Sequence, residues 1–369
     1  MPLNVGIVGL PNVGKSTIFS ALTSVPAEAA NYPFCTIDPN VGVVPVPDDR
    51  LDRLAEIIPT EKVIPTVVEF VDIAGLVRGA SKGEGRGNQF LAHIRETGII
   101  AHVVRCFDDP DVTHVDGSVD PIRDIETIDI ELALADLETV SRRRERLEKE
   151  LKSHDKKIAA TARSLEPVLE QLAAHLGDGR PARAMELSDD QREAIRDLHL
   201  LTIKPVLYVC NVDESGMDGS SAHEARVREH AAGEGAEVVR ICGQLEAEIA
   251  ALETEEERAA FLEDAGLDEP GLAHLIRSGY RGLGLRTFFT AGPKEIRAWT
   301  FHEGATAPEA AGVIHTDFQK GFIRAETYHI EDLFTHGSEQ KVREAGRLRQ
   351  EGKEYRVKDG DVMFFKFNV

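Results

Sequence analysis

Nine residues near the start of the chain, Gly9-Leu10-Pro11-Asn12-Val13-Gly14-Lys15-Ser16-Thr17, have the GxxxxGK[ST] spacing of a phosphate-binding loop. Small residues let successive backbone N–H groups face a phosphate, and the helix that follows adds the positive end of its dipole. Lys15 is placed to reach β and γ oxygens, and Ser16 to offer its hydroxyl to Mg²⁺. Asn12, Val13, Gly14, Lys15, Ser16 and Thr17 are therefore the expected phosphate contacts. Asp72-Ile-Ala-Gly75 supplies a DxxG further on, where a carboxylate can hold the magnesium through water and the Gly75 N–H can face the γ-phosphate. Thr36, twenty-one residues after Lys15, stands where a switch threonine would close on the metal. Arg78 to Asn88 holds four glycines just after DxxG, as a loop that reorders with the nucleotide would need.

The base-recognition position is altered. Asn211-Val212-Asp213-Glu214 follows an apolar run ending at Cys210, where GTPases place NKxD. Guanine presents N1–H and an amino group to the aspartate, whereas adenine presents an acceptor at N1, so a longer carboxylate at Glu214 pairs differently. Val212 removes the lysine that covers the base. A weakened or lost guanine preference is expected.

These residues need a scaffold that alternates strands and helices. Leu3 to Gly9 reads as a strand and Lys15 to Thr23 as a helix with Ile18, Phe19 and Leu22 on one face. Val67 to Asp72, Ile99 to Phe107, Lys204 to Cys210 and Glu237 to Ile241 supply four more strands, which predicts an α/β, doubly wound, mainly parallel sheet. From Asp129 to His199 the period turns helical and charged, an inserted helical hairpin of coiled-coil type. After Gly279, short β runs surround one helix near Pro308 to Asp317, a separate small α+β domain. The expected boundaries are 1–125 and 204–280 for the two parts of the nucleotide-binding domain, 126–203 for the insert and 281–369 for the last domain.

The chain has 369 residues, 42% hydrophobic and 29% charged, an ordinary globular composition. Its longest apolar runs fall far short of the roughly 20 residues that span a bilayer, so no membrane association is expected. The start carries glycines and a lysine where a signal peptide would carry an apolar core. The four cysteines are scattered with no CxxC pair, which points to a reduced cytoplasm and no zinc. A net charge of -21 repels nucleic acid at long range, so any RNA contact must use a local patch. Two patches exist: Arg142 to Arg146, and Lys341 to Lys358 with seven basic residues against three glutamates.

Taken together, GLPNVGKST, NYPFCT, DIAGLVRGASKGEGRGNQFL, HVVRCF and NVDE, then AWTFHEGATAPEAAGVIHTDFQKGFIRAET and YRVKDGDVMFFKFNV, resemble the Obg-like ATPases, the YchF subfamily of translation-factor-related P-loop proteins. The resemblance runs from the first strand to the last residue. It implies a split G domain, a helical insert and a C-terminal TGS domain with a ubiquitin-like β-grasp. It also implies ATP hydrolysis favoured over GTP and binding to ribosomes, the large subunit and ribosomal RNA, without DNA specificity. Leu76 follows DxxG, so the glutamine that orients the attacking water in Ras-like enzymes is absent. The family pattern points instead to His114 as a catalytic residue, and Asn12 matches an asparagine that helps hold a monovalent cation in related potassium-activated P-loop enzymes, which implies a K⁺ site. Arg86 and Arg123 add positive charge near the switch with no role legible in the sequence.

The leading reading is a nucleotide-hydrolysing switch that regulates translation or a stress response. Its rival is a binding module that engages ribosome or RNA with incidental hydrolysis, which the missing glutamine permits and which Lys15, Ser16, Thr36 and Asp72 oppose. A small-molecule kinase has no acceptor lid to support it.

Overall fold

The computed structural model describes residues 3–24, 40–73 and 86–368. Thr36, Gly75, Leu76 and most of the glycine-rich segment after DxxG lie outside them. Along the described chain run β1 (Asn4–Val8), β2 (Val41–Pro45), β3 (Val63–Ile64), β4 (Val67–Asp72), β5 (Ile99–Arg105), β6 (Val206–Asn211), β7 (Glu237–Ile241), β8 (Leu285–Ala291), β9 (Ile296–His302), β10 (Phe322–His329), β11 (Arg349–Glu351) and β12 (Asp361–Phe367). They form two six-stranded sheets, in the orders β2-β4-β1-β5-β6-β7 and β11-β10-β12-β8-β9-β3.

The chain divides into two units, 1–42 with 69–275, and 43–68 with 276–369. In the first, β4, β1, β5, β6 and β7 are all parallel, with Ile7 beside Asp72 and Arg105 beside Asn211. Helices cover both faces of such a sheet, which is why β5 and β6 are buried at every position and read as unbroken apolar runs. The sequence leaves β1 toward β4 on one side while β5 lies on the other. This reversal opens a crevice at the carboxyl ends of the strands. The phosphate loop, Asp72, the loop after β5 and the NVDE turn after β6 all emerge at that edge.

The insert is a hairpin of two helices, Pro121–Leu151 and Lys156–Gly177, each started by an aspartate (Asp120, Asp155) that caps a backbone N–H. Pro121 at the first helical position costs no hydrogen bond. Val140, Leu147, Leu165, Leu169 and Leu172 fill the seam between them. The first helix also buries Asp124, Asp129 and Asp136, and each carboxylate is satisfied. Asp136 accepts the Leu201 and Thr202 N–H groups at 2.8 Å, and Asp129 takes the Arg183 guanidinium at 2.9 Å. Residues 126–203 thus fall in the same unit as the nucleotide-binding sheet.

In the second unit β8 and β9 form a hairpin, the helix Ala307–Ile314 follows, β10 pairs antiparallel with β11 and β12, and β12 lies parallel to β8 at the centre. That is the β-grasp order. Its sheet has two cores. Phe288, Phe301, Ala310, Phe322 and Met363 face one side, while Phe289, Ala298, Tyr328 and Val362 face the other and are covered by Leu51 and Leu54. Those leucines belong to the helix Asp49–Ile57, so 43–68, which the sequence reading placed with the nucleotide-binding domain, groups with the C-terminal unit. Past the expected helix near Pro308 the structure adds Thr316–Lys320, Ile330–His336 and Glu339–Glu344, short helices whose periods are too brief to read from sequence.

Candidate nucleotide-binding site

The phosphate loop begins where β1 ends. Gly14, which precedes the helix Lys15–Thr23, has φ 90°, a left-handed conformation that favours glycine. A Cβ there would also collide with the Asn211 side-chain amide. Asn12 takes φ 62°, a region asparagine tolerates better than most residues. Its amide donates to the Thr113 carbonyl at 3.0 Å, tying the phosphate loop to the loop after β5. Val13 is buried beneath the turn, Ser16 and Thr17 line the opening, and the Lys15 ammonium contacts the Asp72 carboxylate.

Asn211 is buried and its amide is used on both sides: Nδ2 donates to Val13 O at 2.9 Å and Oδ1 accepts Gly243 N–H at 2.9 Å. It joins the phosphate loop to the segment after β7. Val212 is only 2% exposed. Asp213 caps the turn that follows, accepting Gly216 N–H at 2.9 Å, which leaves the exposed Glu214 as the carboxylate at the rim. Behind this turn, Arg240 donates to Met217 O at 2.8 Å and is held by the buried Glu224 at 2.6 Å. The sequence reading missed this pair, since an Arg and a Glu sixteen residues apart carry no motif.

These segments enclose a cavity of about 1320 Å³, lined by the phosphate loop, residues 107–112, residues 211–215 and the helix from Gly243. It is large enough for a nucleoside triphosphate. Ser16 and Asp72 give a hydroxyl and a carboxylate, the oxygen donors that a hard cation such as Mg²⁺ takes.

His114 does not line the cavity. It is buried, its Nδ1 accepts the Asp116 N–H at 3.1 Å, and its Nε2–H donates to Asp124 at 2.8 Å. Arg123 has a role that the sequence did not reveal: its guanidinium bonds Ser118 and lies 3.4 Å from Asp124, bracing the loop that carries His114. Two groups among the described residues have three close acid or histidine side chains, His114/Asp116/Asp124 and Asp129/His230/Glu234. Each already holds an arginine, Arg123 or Arg183, so the positive charge a metal would bring is present as guanidinium.

Comparison with known proteins decides the family. Residues 4–163 match the model of the 50S ribosome-binding GTPases, and residues 285–368 match the model of the YchF GTPase C-terminal domain. The chain is 55% identical to the ribosome-binding ATPase YchF of Bacillus subtilis and 56% identical to that of Escherichia coli O157:H7, with all of both chains covered in each case. The chain belongs to the YchF family. Among solved structures, the Schizosaccharomyces pombe YchF GTPase superposes with a TM-score of 0.88 at 38% identity, covering 99% of this chain and 97% of that one. The YchF relationship makes the chain a P-loop nucleotide hydrolase, and its phosphate loop opens into the crevice at the ends of β1, β4, β5 and β6.

Proposed function

We propose that this chain is a Mg²⁺-dependent ATPase that prefers ATP to GTP, binds ribosomes through the large subunit and its RNA, and acts as a nucleotide-controlled regulator of translation or of a stress response. The observation that carries the reading is one cavity lined by Lys15, Ser16 and the NVDE turn, with Asp72 held against Lys15. Backbone N–H groups of the phosphate loop and Lys15 hold the β- and γ-phosphates, and Asn211 keeps phosphate loop and base turn in register. Ser16 and Asp72, with Thr36 as the switch ligand, would hold Mg²⁺, which when bound would neutralise the charge of the phosphates. Gly75 of DxxG is assigned to the γ-phosphate on its place in the motif. Orientation of the attacking water falls to His114, whose imidazole must first leave Asp124, and Asn12 contributes to a K⁺ site. Turnover is then slow until a partner moves the loop.

Calorimetric titration with ATP and with GTP, in Mg²⁺ and K⁺, tests the preference. ATP should bind at least tenfold tighter, a gap of roughly 1.4 kcal/mol, and Glu214→Asp should narrow it. GTP binding tighter in the wild type would overturn the ATPase assignment.

A further inference from the structure

Arg105, the last residue of β5, is one of the largest fully buried side chains, with 1% of its surface exposed. An arginine stays charged in any protein environment, so its burial demands compensation. No carboxylate supplies it among the described residues. Instead Nε donates to Phe107 O at 3.1 Å, Nη1 to Val112 O at 2.8 Å and Nη2 to Asp109 O at 3.1 Å. All three acceptors are backbone carbonyls of a single loop, and the guanidinium also sits 4.6 Å from the centre of the Phe107 ring.

That loop is one wall of the cavity: Phe107, Asp108, Asp109, Pro110 and Val112 line it. Its far end is Thr113, whose carbonyl takes the phosphate-loop amide of Asn12, and His114 follows directly. We infer that Arg105 is a positioning residue for nucleotide binding, a clamp that holds the 107–112 wall in its binding shape. The planar fork suits this task because its N–H groups diverge to three acceptors, whereas a lysine ammonium presents its donors from one point. With the wall fixed before the ligand arrives, binding does not carry the cost of ordering it. A loop freed from the clamp leaves three carbonyls to find water and orders only on binding. The three acceptors of Arg105, Phe107, Asp109 and Val112, line the cavity together with the base-recognition turn, so the loss of the clamp is expected to be felt by the nucleoside more than by the phosphates. The inference rests on the reading of this cavity as a nucleotide site.

The test is titration of full-length wild type, Arg105→Lys and Arg105→Ala with Mg·ATP and with Mg·tripolyphosphate, which carries phosphates but no nucleoside. The expected result is at least a tenfold rise in Kd for ATP in both variants, with tripolyphosphate changed less than twofold. Methylguanidinium should restore part of the ATP affinity of Arg105→Ala. Equal weakening for both ligands would mark Arg105 as a general structural residue and overturn the clamp, as would unchanged ATP binding in Arg105→Lys. If Arg105→Ala fails to fold, Arg105→Lys decides, with hydrogen exchange at residues 107–113 as second readout: faster exchange there alone supports the clamp, and unchanged exchange overturns it. Wild type that binds tripolyphosphate but not ATP would refute the nucleotide reading itself, a different outcome from either failure of the clamp.

Discussion

Lys15 is a buried ammonium at the start of a helix, and its partner, Asp72, ends β4. Such a charge-assisted contact contributes about 1.5–3 kcal/mol, and a bound triphosphate offers stronger acceptors for the same donor. Replacing Lys15 with alanine should therefore weaken ATP binding by tenfold to a hundredfold in a calorimetric titration while leaving the fold intact; a loss smaller than threefold would show that the backbone N–H groups alone hold the phosphates. Lys15 and Asp72 were legible because their spacing is a chemical requirement. Val212 was legible only in part. Its identity announces that the base-covering lysine is gone, but its burial shows why restoring that lysine is a poor test: an ammonium there would sit under the turn rather than over a base. Glu214, at the exposed rim, is the position where a substitution reads base preference without disturbing the core.

At the scale of elements, the two long helices and the parallel strands were plain because each is periodic over many residues. The functional couplings between elements were not, because they join residues distant in sequence. The contact of His114 with Asp124 is one. It ties the loop after β5 to the first turn of the insert helix, so a partner that moves the hairpin also frees the imidazole. If His114 orients water only when released, Asp124→Asn, which exchanges a charge-assisted bond for a neutral one, should raise basal ATP hydrolysis several-fold in single-turnover assays; slower hydrolysis would instead make Asp124 a partner that orients the working histidine. Glu246 is another coupling. It lies on the helix that begins at Gly243 beside the cavity, and it accepts Gly271 N–H at 2.6 Å. Burial pushes its carboxyl from 4.5 up to about 7, against the backbone N–H bonds from Gly271 and Leu272 that favour the charged form. The native state therefore holds this proton between those values while the unfolded chain has released it. The stabilisation is complete below about 4.5 and is lost as pH rises through about 7. Relative to Glu246→Gln, which cannot titrate, the wild type should lose roughly 2 kcal/mol of unfolding free energy between pH 5.5 and 8. Parallel pH curves from chemical denaturation would refute this assignment.

Across the whole molecule the charge is -21, yet positive charge is concentrated in two places. Residues 142–157, at the far end of the helical hairpin, hold eight basic against four acidic side chains, and the segment Lys341 to Lys358 in the second unit is the other. The structure sorts their members. Arg142 and Arg143 are paired with Glu138 and Glu150, whereas Arg144 and Arg146 are exposed. In the second segment Arg349 bonds the Tyr355 hydroxyl at 3.1 Å and lies 3.7 Å from Asp361, a carboxylate with 0% exposure. Reversing Arg349 would set two carboxylates together in the β-grasp core and unfold it for reasons unrelated to any partner. Arg347 and Lys353, both exposed, are the residues to change instead. If these patches meet ribosomal RNA, their contribution is counterion release, and its signature is the salt dependence rather than the affinity at one concentration. Arg144→Glu with Arg146→Glu, and separately Arg347→Glu with Lys353→Glu, should each reduce ribosome co-sedimentation and flatten the plot of log affinity against log salt by roughly 1.5 for two lost phosphate contacts. A pair that lowers pelleting with an unchanged slope has lost a protein contact or its fold. A pair with unchanged pelleting at every salt concentration does not face RNA, and the chain then meets ribosomal RNA through the other patch alone.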